Sequence, residues 1–557
     1  VTSNLGWWTD AVVYQIYPRS FCDGNGDGVG DVPGMVSKLD YLAELGVDAV
    51  WVSPWYPSPM ADGGYDVSDY CNIHPDFGTL ADADAFIAGA HARGIKVLID
   101  LVPNHTSSAH PWFAAALMSA PGSPERARYH FRDGLGPDGS LPPTNWGSLF
   151  GGPAWTRITE TDGRPGQWYL HMFDTTQPDV NWTNPDVNDM FDDVLRFWFD
   201  RGIDGFRIDV ADSLHKDMAF PDTALAPNGF GTCMPSNGHP MWDQPALADV
   251  QRRWRAIADS YGDRVFVSEA NCPGRLAFLT PDRLHTTFTF DSVFCEWDAT
   301  SQRHMIDHNL RLHDDIGAGT TWVMGNHDQT RPVTRYGKRI TGWPFPESGV
   351  TPESQKVWAE YLFPWPTDVE TGRRRARAIV LLYLALPGGM YIYQGEELGL
   401  DESENLPIAS LQDPSFFKTN GRTRGRDGCR VPLPWSGQVA PFGFSPRPDA
   451  EPWLPQPAAW ASLTAEAEEP DPNSTLNLYR EALRLRRETD ALGAGSLSWS
   501  DAGDGVLAFT RDPGFGCLTT FGGPTTLPDG ADVLLASQPV AADGTVPAET
   551  TVWYRLP

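Results

Sequence analysis

The stretch GFRIDV, Gly205–Val210, decides the fold. It is short, rich in aromatic and β-branched residues, and reads as a strand. Arg207 and Asp209 lie two residues apart, so both side chains point to the same side of that strand. An ionised side chain in a strand interior costs several kcal/mol unless it is paired. Two of them in four residues mark a strand that carries a site.

Outward from this stretch the chain alternates short strands with helical segments, as a parallel α/β fold requires. Upstream, strands are expected at Ala11–Pro18, Asp48–Pro54 and Lys96–Pro103, with helices over Met35–Leu45 and Leu80–Arg93. Downstream, a helix over Ala246–Tyr261 leads to a fifth strand, Arg264–Glu269. A sixth is expected around Phe288–Phe294, a seventh at Thr321–Gly325 and an eighth at Met390–Gln394. Helices over Asp186–Arg201, Arg374–Leu386 and Leu476–Glu488 complete eight strand–helix units. The count predicts an α/β (β/α)₈ TIM barrel. Residues 105–174 are rich in Gly, Pro and polar residues and too long for a structureless loop, so they are expected to form an inserted, irregular subdomain after strand three. The tail reads as a small all-β domain. The predicted division is 1–104 plus 175–490 for the barrel, 105–174 for the insertion and 491–557 for the β domain.

At 557 residues and 41% apolar content the chain can bury a large core. Its formal charge of −30 argues against nucleic acid and anionic membranes as partners and fits a neutral ligand, although most of the acidity serves solubility. Some of the 22 Trp are expected to face sugar rings, most to be packing. Seven Cys stand singly at 22, 71, 233, 272, 295, 429 and 517, without a CxxC pair, which argues against a disulfide framework or zinc site. No apolar run has transmembrane length and no signal pattern opens the sequence, so a cytoplasmic location is expected.

Barrel active sites lie at the C-terminal ends of the strands. There the sequence places Asn104 and His105 (strand three), Arg207 and Asp209 (four), Glu269 (five) and Asn326, His327 and Asp328 (seven). Each alone has an ordinary structural explanation, as a cap or a paired charge. Together, at one end of one barrel, they describe glycosidic cleavage, which uses two carboxyls flanking the anomeric carbon. Adjacent strands hold Asp209 and Glu269 close. Arg207 is expected to keep Asp209 ionised, Glu269 has to start protonated, and Asp328 is placed to bind sugar hydroxyls and bias that proton.

These segments, DLVPNH (Asp100–His105), GFRIDVA (Gly205–Ala211), SEAN (Ser268–Asn271) and GNHD (Gly325–Asp328), resemble the four motifs of the α-amylase family, glycoside hydrolase family thirteen. The resemblance runs from WWTDAVVYQIYPRSF at Trp7 into the tail. QPDVN (Gln177–Asn181) and GEELGL (Gly395–Leu400) are most similar to its α-glucosidase and oligo-1,6-glucosidase branch. It implies Asp209 as nucleophile, Glu269 as acid/base and Asp328 as transition-state stabiliser, with Arg207, His105 and His327 binding the sugar. ADGGYD (Ala61–Asp66) resembles the family's DNGYD, which assigns Asp62 and Tyr65 to the non-reducing glucose, with Gly63 where Asn is usual. RDGCR (Arg426–Arg430) resembles RDNAR. Its flanking Arg residues, Arg430 among them, reach that sugar or pair with Asp62; the alternative is a surface turn.

DGNGDGVGD (Asp23–Asp31) offers oxygens at alternate positions, Asp23, Asn25, Asp27, the Val29 carbonyl and Asp31, a set that suits a hard cation. Gly34 at position twelve excludes an EF-hand, and a metal-free Gly/Asp turn is the alternative. The resemblance implies structural Ca²⁺ or Mg²⁺ there, and no organic cofactor.

The expected activity is a retaining exo-α-glucosidase acting on maltose, isomaltose, sucrose or short oligosaccharides, as a monomer or weak homo-oligomer. The alternatives are a transglucosidase or isomerase such as a trehalose synthase or sucrose isomerase, and a non-catalytic barrel serving as an interaction module. In the branch resembled, Val after the nucleophile accompanies α-1,6 action, so Val210 leans that way. Residues 212–242 and 335–370 are expected to shape the leaving-group side.

Overall fold

The computed structural model describes residues 5–223, 238–270, 272, 274–345, 365–493 and 495–556. Eight parallel strands form the central sheet: β1 (Val12–Ile16), β2 (Ala49–Val52), β3 (Lys96–Leu101), β4 (Gly205–Ile208), β5 (Val265–Ser268), β6 (Thr286–Thr287), β7 (Thr321–Val323) and β8 (Gly389–Tyr393). Their order is β7-β8-β1-β2-β3-β4-β5-β6. A parallel bridge between Thr289 and Trp322 brings the two outer strands together and closes the barrel.

Strand parity sorts the side chains. Val13, Ala49, Trp51, Leu98, Val267 and Tyr391 form one buried cluster, inside the barrel. Their neighbours Val12, Val50, Ile99, Ile208, Phe266 and Ile392 belong to a second, larger cluster, under the helices. Continuing the inner parity by two residues puts Gln15, Ser53, Asp100, Arg207, Asp209 and Glu269 at the inner, C-terminal end. Gly205 allows β4 to approach β5, since a Cβ there would lie 2.3 Å from the Val265 carbonyl.

The outer helices follow the expected rhythm: α1 (Leu39–Leu45), α2 (Leu80–His91), α3 (Pro185–Asp200), α4 (Leu247–Ser260), α5 (Ala299–Ile316), α6 (Val369–Leu384) and α7 (Thr475–Glu488). Helix α3 shows the local logic. Asn184 caps it by accepting from the Asp186 N–H, Pro185 stands at its first position, and Val187, Phe191, Val194, Leu195 and Trp198 form its buried stripe.

Two expectations are corrected. The sixth strand is Thr286–Thr287, not Phe288–Phe294, because Asp291–Phe294 is a helical turn. The aromatic run imitates a strand, but Ser292 Oγ donates to the carbonyls of Thr289 (2.6 Å) and Val323 (2.7 Å) and wraps the chain. After β5, where the strand–helix rhythm calls for a helix, stands the 3₁₀ turn Arg275–Leu279.

Residues 105–174 are more regular than their composition suggests. They contain helices Pro111–Met118 and Pro124–Ala127 and a three-stranded antiparallel sheet, with Pro165–Leu170 between Phe131–Arg132 and Trp155–Thr159. The C-terminal segment holds a five-stranded antiparallel sheet and a two-stranded one. It docks on α6, where Trp553 Nε1 donates to the Leu381 carbonyl at 2.9 Å. The six described cysteines are all unpaired. Among the described residues no helix is long and apolar enough to cross a membrane.

Candidate active site

Arg207 organises the centre of the barrel mouth. It is fully buried, and three carboxylates close on its guanidinium. Nη1 lies 2.8 Å from Asp100 Oδ1 and 2.6 Å from Asp209 Oδ1, and Nη2 lies 2.5 Å from Glu269 Oε2. The first two contacts are aligned hydrogen bonds; the third is an ion pair off the N–H direction. The register pairs Asp100 with Arg207 across β3 and β4. Asp100 Oδ2 also accepts from Trp51 Nε1 (3.1 Å) and Tyr65 Oη (3.0 Å).

The backbone laces these strand ends together. The Asp209 N–H donates to the Leu101 carbonyl, the Glu269 N–H to Ile208, and the Ala211 N–H to Glu269. Val210 sits at φ 44°, an unusual conformation for a β-branched residue. Its N–H donates to Glu269 Oε2 at 3.2 Å.

One guanidinium faces three carboxylates, so neighbouring like charges add to burial in opposing ionisation of Asp100 and Asp209. Burial pushes the Asp100 carboxyl up to about 7 against the pull of Arg207. Burial also pushes Asp209 well up; Arg207 pulls it down, while Glu269 and Asp100 push it further. Arg207 supplies the opposing charge, but burial and two neighbouring carboxylates compete with it.

The second half of the site is richer in cations. Asp328 Oδ1 receives Arg426 Nη1 (3.0 Å) and Arg430 Nη2 (2.7 Å). Burial raises this carboxyl, but the surrounding cations outweigh it and hold Asp328 well below the usual carboxylate range. Arg426 also bonds Asp62 Oδ1 through Nη2 (2.6 Å) and Asp413 Oδ2 through Nε (2.5 Å). RDGCR is thus a buried arginine bridge and not a surface turn. Asp62 pairs with Arg426, whereas Arg430 pairs with Asp328 and donates from Nε to the His327 carbonyl at 2.8 Å. Burial pushes Asp62 up to about 6 despite Arg426 and Arg430. In Asp413 burial is outweighed by the same two arginines, leaving it at about 2.

Tyr65 stacks on His327 with ring centroids 5.1 Å apart and 4° between planes, and Tyr17 lies nearly parallel on it at 5.9 Å. Gly63 stands where a Cβ would meet Tyr17 Oη at 2.7 Å and Arg430 Nη1 at 3.0 Å, and its φ is 58°. A side chain at this position would press on both.

Burial lowers His327 well below its ordinary value and His105 to about 4, so both rings are neutral. His105 Nε2 lies 3.0 Å from the Tyr65 carbonyl and Nδ1 lies 3.1 Å from Asn104 Nδ2. Gln177 Nε2 lies within 3.1 Å of His105 Nε2 and donates to Asp62 Oδ2 at 3.0 Å. Lys216 ties the loop after β4 to the residues that flank the inserted subdomain, with Nζ 2.6 Å from Asn104 Oδ1 and 3.0 Å from Asp179 Oδ2.

Asp62, Tyr65, His105, Arg207, Asp209, Glu269, His327, Asp328 and Arg430 therefore meet at one end of the barrel. Sequence reading did not single out Asp100, Trp51, Gln15, Gln177 and Asp413 as site residues, whereas it gave Arg426 as a flanking arginine of RDGCR that reaches the sugar or pairs with Asp62, and the structure pairs it with Asp62. For Asp100 the signal was present: it is a carboxylate inside the apolar run KVLIDLVP. Asn271 of SEAN, and much of 212–242 and 335–370, lie outside the described residues.

The Asp23–Asp31 loop uses its oxygens locally. Asp23 accepts from the N–H groups of Asn25, Gly26 and Gly28, and Asp31 from those of Gly24, Asn25 and Gly34. Asn25 and Asp27 each cap the residue two positions on. Among the described residues no group of three His, Cys, Asp or Glu side chains is placed to hold a metal. The donors are still all oxygens, the chemistry a hard cation selects.

The α-amylase catalytic-domain model matches residues 15–344 and 364–495. A probable alpha-glucosidase of Rhizobium meliloti (strain 1021) is 36% identical over 524 residues, covering 91% of this chain and 87% of its own. An oligo-1,6-glucosidase of Heyndrickxia coagulans is 34% identical over 528 residues, 88% of this chain and 86% of its own. Among solved structures, a trehalulose synthase superposes with a TM-score of 0.83 at 30% identity, covering 99% of this chain and 100% of its own. The chain belongs to the α-amylase family.

Proposed function

We propose that the protein is a retaining, exo-acting α-glucosidase that hydrolyses short α-glucosides and transfers glucose from them. The observation that carries this reading is the trio on Arg207. A retaining mechanism uses carboxyls about 5–5.5 Å apart. Asp209 and Glu269 both close on a single guanidinium, which holds the two carboxyls near each other. The relatives named above, an alpha-glucosidase and an oligo-1,6-glucosidase, support the substrate class.

In this reading an Asp209 oxygen attacks the anomeric carbon while Glu269 gives a proton to the departing glycosidic oxygen. A covalent glucosyl ester on Asp209 results. Water, or a second sugar's hydroxyl, then gives its proton to Glu269 and displaces Asp209, restoring the α configuration. Arg207, which also pairs with Asp100, supplies the charge that favours the anionic form of Asp209 against burial and its neighbouring carboxylates. Asp328, held ionised by two arginines, accepts hydroxyl bonds that strengthen at the oxocarbenium-like stage. Asp62, Tyr65, His105, His327 and Arg430 bind the non-reducing glucose. The Asp62–Arg426 bridge closes the far end and supports exo-action.

The trehalulose synthase likeness supports a second reading, in which the released sugar is held and re-glucosylated. Product analysis on maltose, isomaltose, trehalose and sucrose separates the two. Hydrolysis releases glucose, first as the α anomer by proton NMR; isomerisation converts the disaccharide without free glucose. Turnover of none of them would remove both readings and favour a non-catalytic barrel.

The proposal also carries the 104/105, 174/175 and 490/491 domain boundaries, an α-1,6 lean through Val210, a cytoplasmic location and a monomer or weak homo-oligomer. Ca²⁺ or Mg²⁺ on Asp23, Asn25, Asp27, Val29 and Asp31 belongs to it too, as a structural ion only.

A further inference from the structure

Gln15 lies on the inner side of β1 and is 1% exposed. Its Nε2 donates to Ser53 Oγ at 3.0 Å and lies 2.7 Å from His327 Nδ1. No sequence motif marked it, and it touches none of the carboxylates. On the other side of the same ring, His327 Nε2 is buried without a hydrogen-bond partner, 3.4 Å from Asp328 Oδ2.

A neutral imidazole carries one proton, and the partner of one nitrogen decides the role of the other. We propose that Gln15 is a positioning residue that fixes His327 as the Nε2–H tautomer, so that the ring offers a donor toward Asp328 and the bound sugar; this rests on the glycosidase reading above.

Two independent features select this tautomer. The first is the amide. With Nε2 on Ser53 and His327, Gln15 leaves only Oε1 unpartnered. Turned over, it would accept from His327 Nδ1–H and orphan an NH₂ group in the barrel interior. A buried unsatisfied donor is rarer than an under-used carbonyl. The second is Asp328, held ionised by Arg426 and Arg430, which repels a lone pair on His327 Nε2 and attracts an N–H. Tyr65 and Tyr17 stack on the ring and hold its plane, so tautomer exchange cannot be relieved by tilting. A donor here can bond a sugar hydroxyl while that hydroxyl donates onward to Asp328. The Nδ1–H tautomer would set two acceptors against each other.

The test is a long-range proton–nitrogen spectrum of the full chain with ¹⁵N-labelled histidine, the His327 signal assigned by its loss in His327→Gln. The expected wild-type pattern is an unprotonated Nδ1 and a protonated Nε2; a protonated Nδ1 in the wild type overturns the proposal. Gln15→Glu is expected to protonate Nδ1, and Gln15→Leu to lower kcat/KM about tenfold, mostly through kcat, as loss of an orienting partner typically does. If both variants keep the wild-type spectrum and kcat/KM, Gln15 does not set the tautomer. If the wild-type spectrum is as expected and no α-glucoside is turned over, the tautomer stands and the glycosidase reading falls.

Discussion

The two halves of the site differ in counter-charge. Around Arg207 one guanidinium serves Asp100, Asp209 and Glu269. Around Asp328 two guanidinia serve Asp62, Asp328 and Asp413. Both halves are largely buried, with Glu269, Asp328 and Arg426 in part exposed, so local counter-charge makes the difference. The half with one guanidinium for three carboxylates suits acid–base and nucleophilic work. The half with two guanidinia holds Asp328 ionised and suits binding and electrostatic stabilisation.

The contrast breaks most visibly at Asp209. Asp209→Asn is expected to lower kcat by about 10⁴-fold or more on every α-glucoside, as loss of a nucleophile does; a steady-state assay checks it. Glu269→Gln is expected to cost about 10³-fold on maltose-type substrates, within the usual range for a general acid. The first, bond-breaking step should suffer far less with an activated leaving group, which needs no proton. Equal losses on both substrate types would dissociate Glu269 from the acid role.

Stability sharpens the comparison with opposite signs. Asp100 has a folded value, about 7, above the carboxylate norm. Between about 4 and 7 the folded chain therefore holds more protons than the unfolded one, and Asp100's contribution is present below about 4 and lost as pH rises through 7. Asp413, at about 2, behaves oppositely: its contribution is present above about 4 and lost as pH falls toward 2. Asp413→Asn should thus destabilise at pH 7 by about 3 kcal/mol, the scale of breaking a buried pair, with the penalty shrinking in acid. The smaller effect is that of Asp100→Asn, which should raise the melting midpoint at pH 8 and give no gain at pH 4. Melting scans of both variants from pH 2 to 8 measure the signs.

Much of this architecture was readable in the sequence where one period dominates. The runs in β1 to β5, β7 and β8 alternate cleanly, and Asp209, Glu269 and Asp328 stand at their ends. The reading failed where side chains override the period. Phe288–Phe294 carries a strand's aromatic pattern, yet Ser292 folds it into a turn. The insertion hides its sheet because its strands are short and flanked by Gly and Pro. Residues such as Gln15, Asp100 and Asp413 act through partners tens to hundreds of positions away. Arg426 reaches Asp62 across 364 residues, and no local pattern encodes that contact.

The central claim is that Asp209 attacks and Glu269 serves as acid and base. Its most direct measurement is peptide mass mapping of the Glu269→Gln variant mixed with α-glucosyl fluoride, whose leaving group needs no proton while the intermediate lacks its base. The account predicts a glucosyl adduct on the peptide that carries Asp209. An adduct on another residue, or turnover with inverted configuration and no adduct, would contradict it.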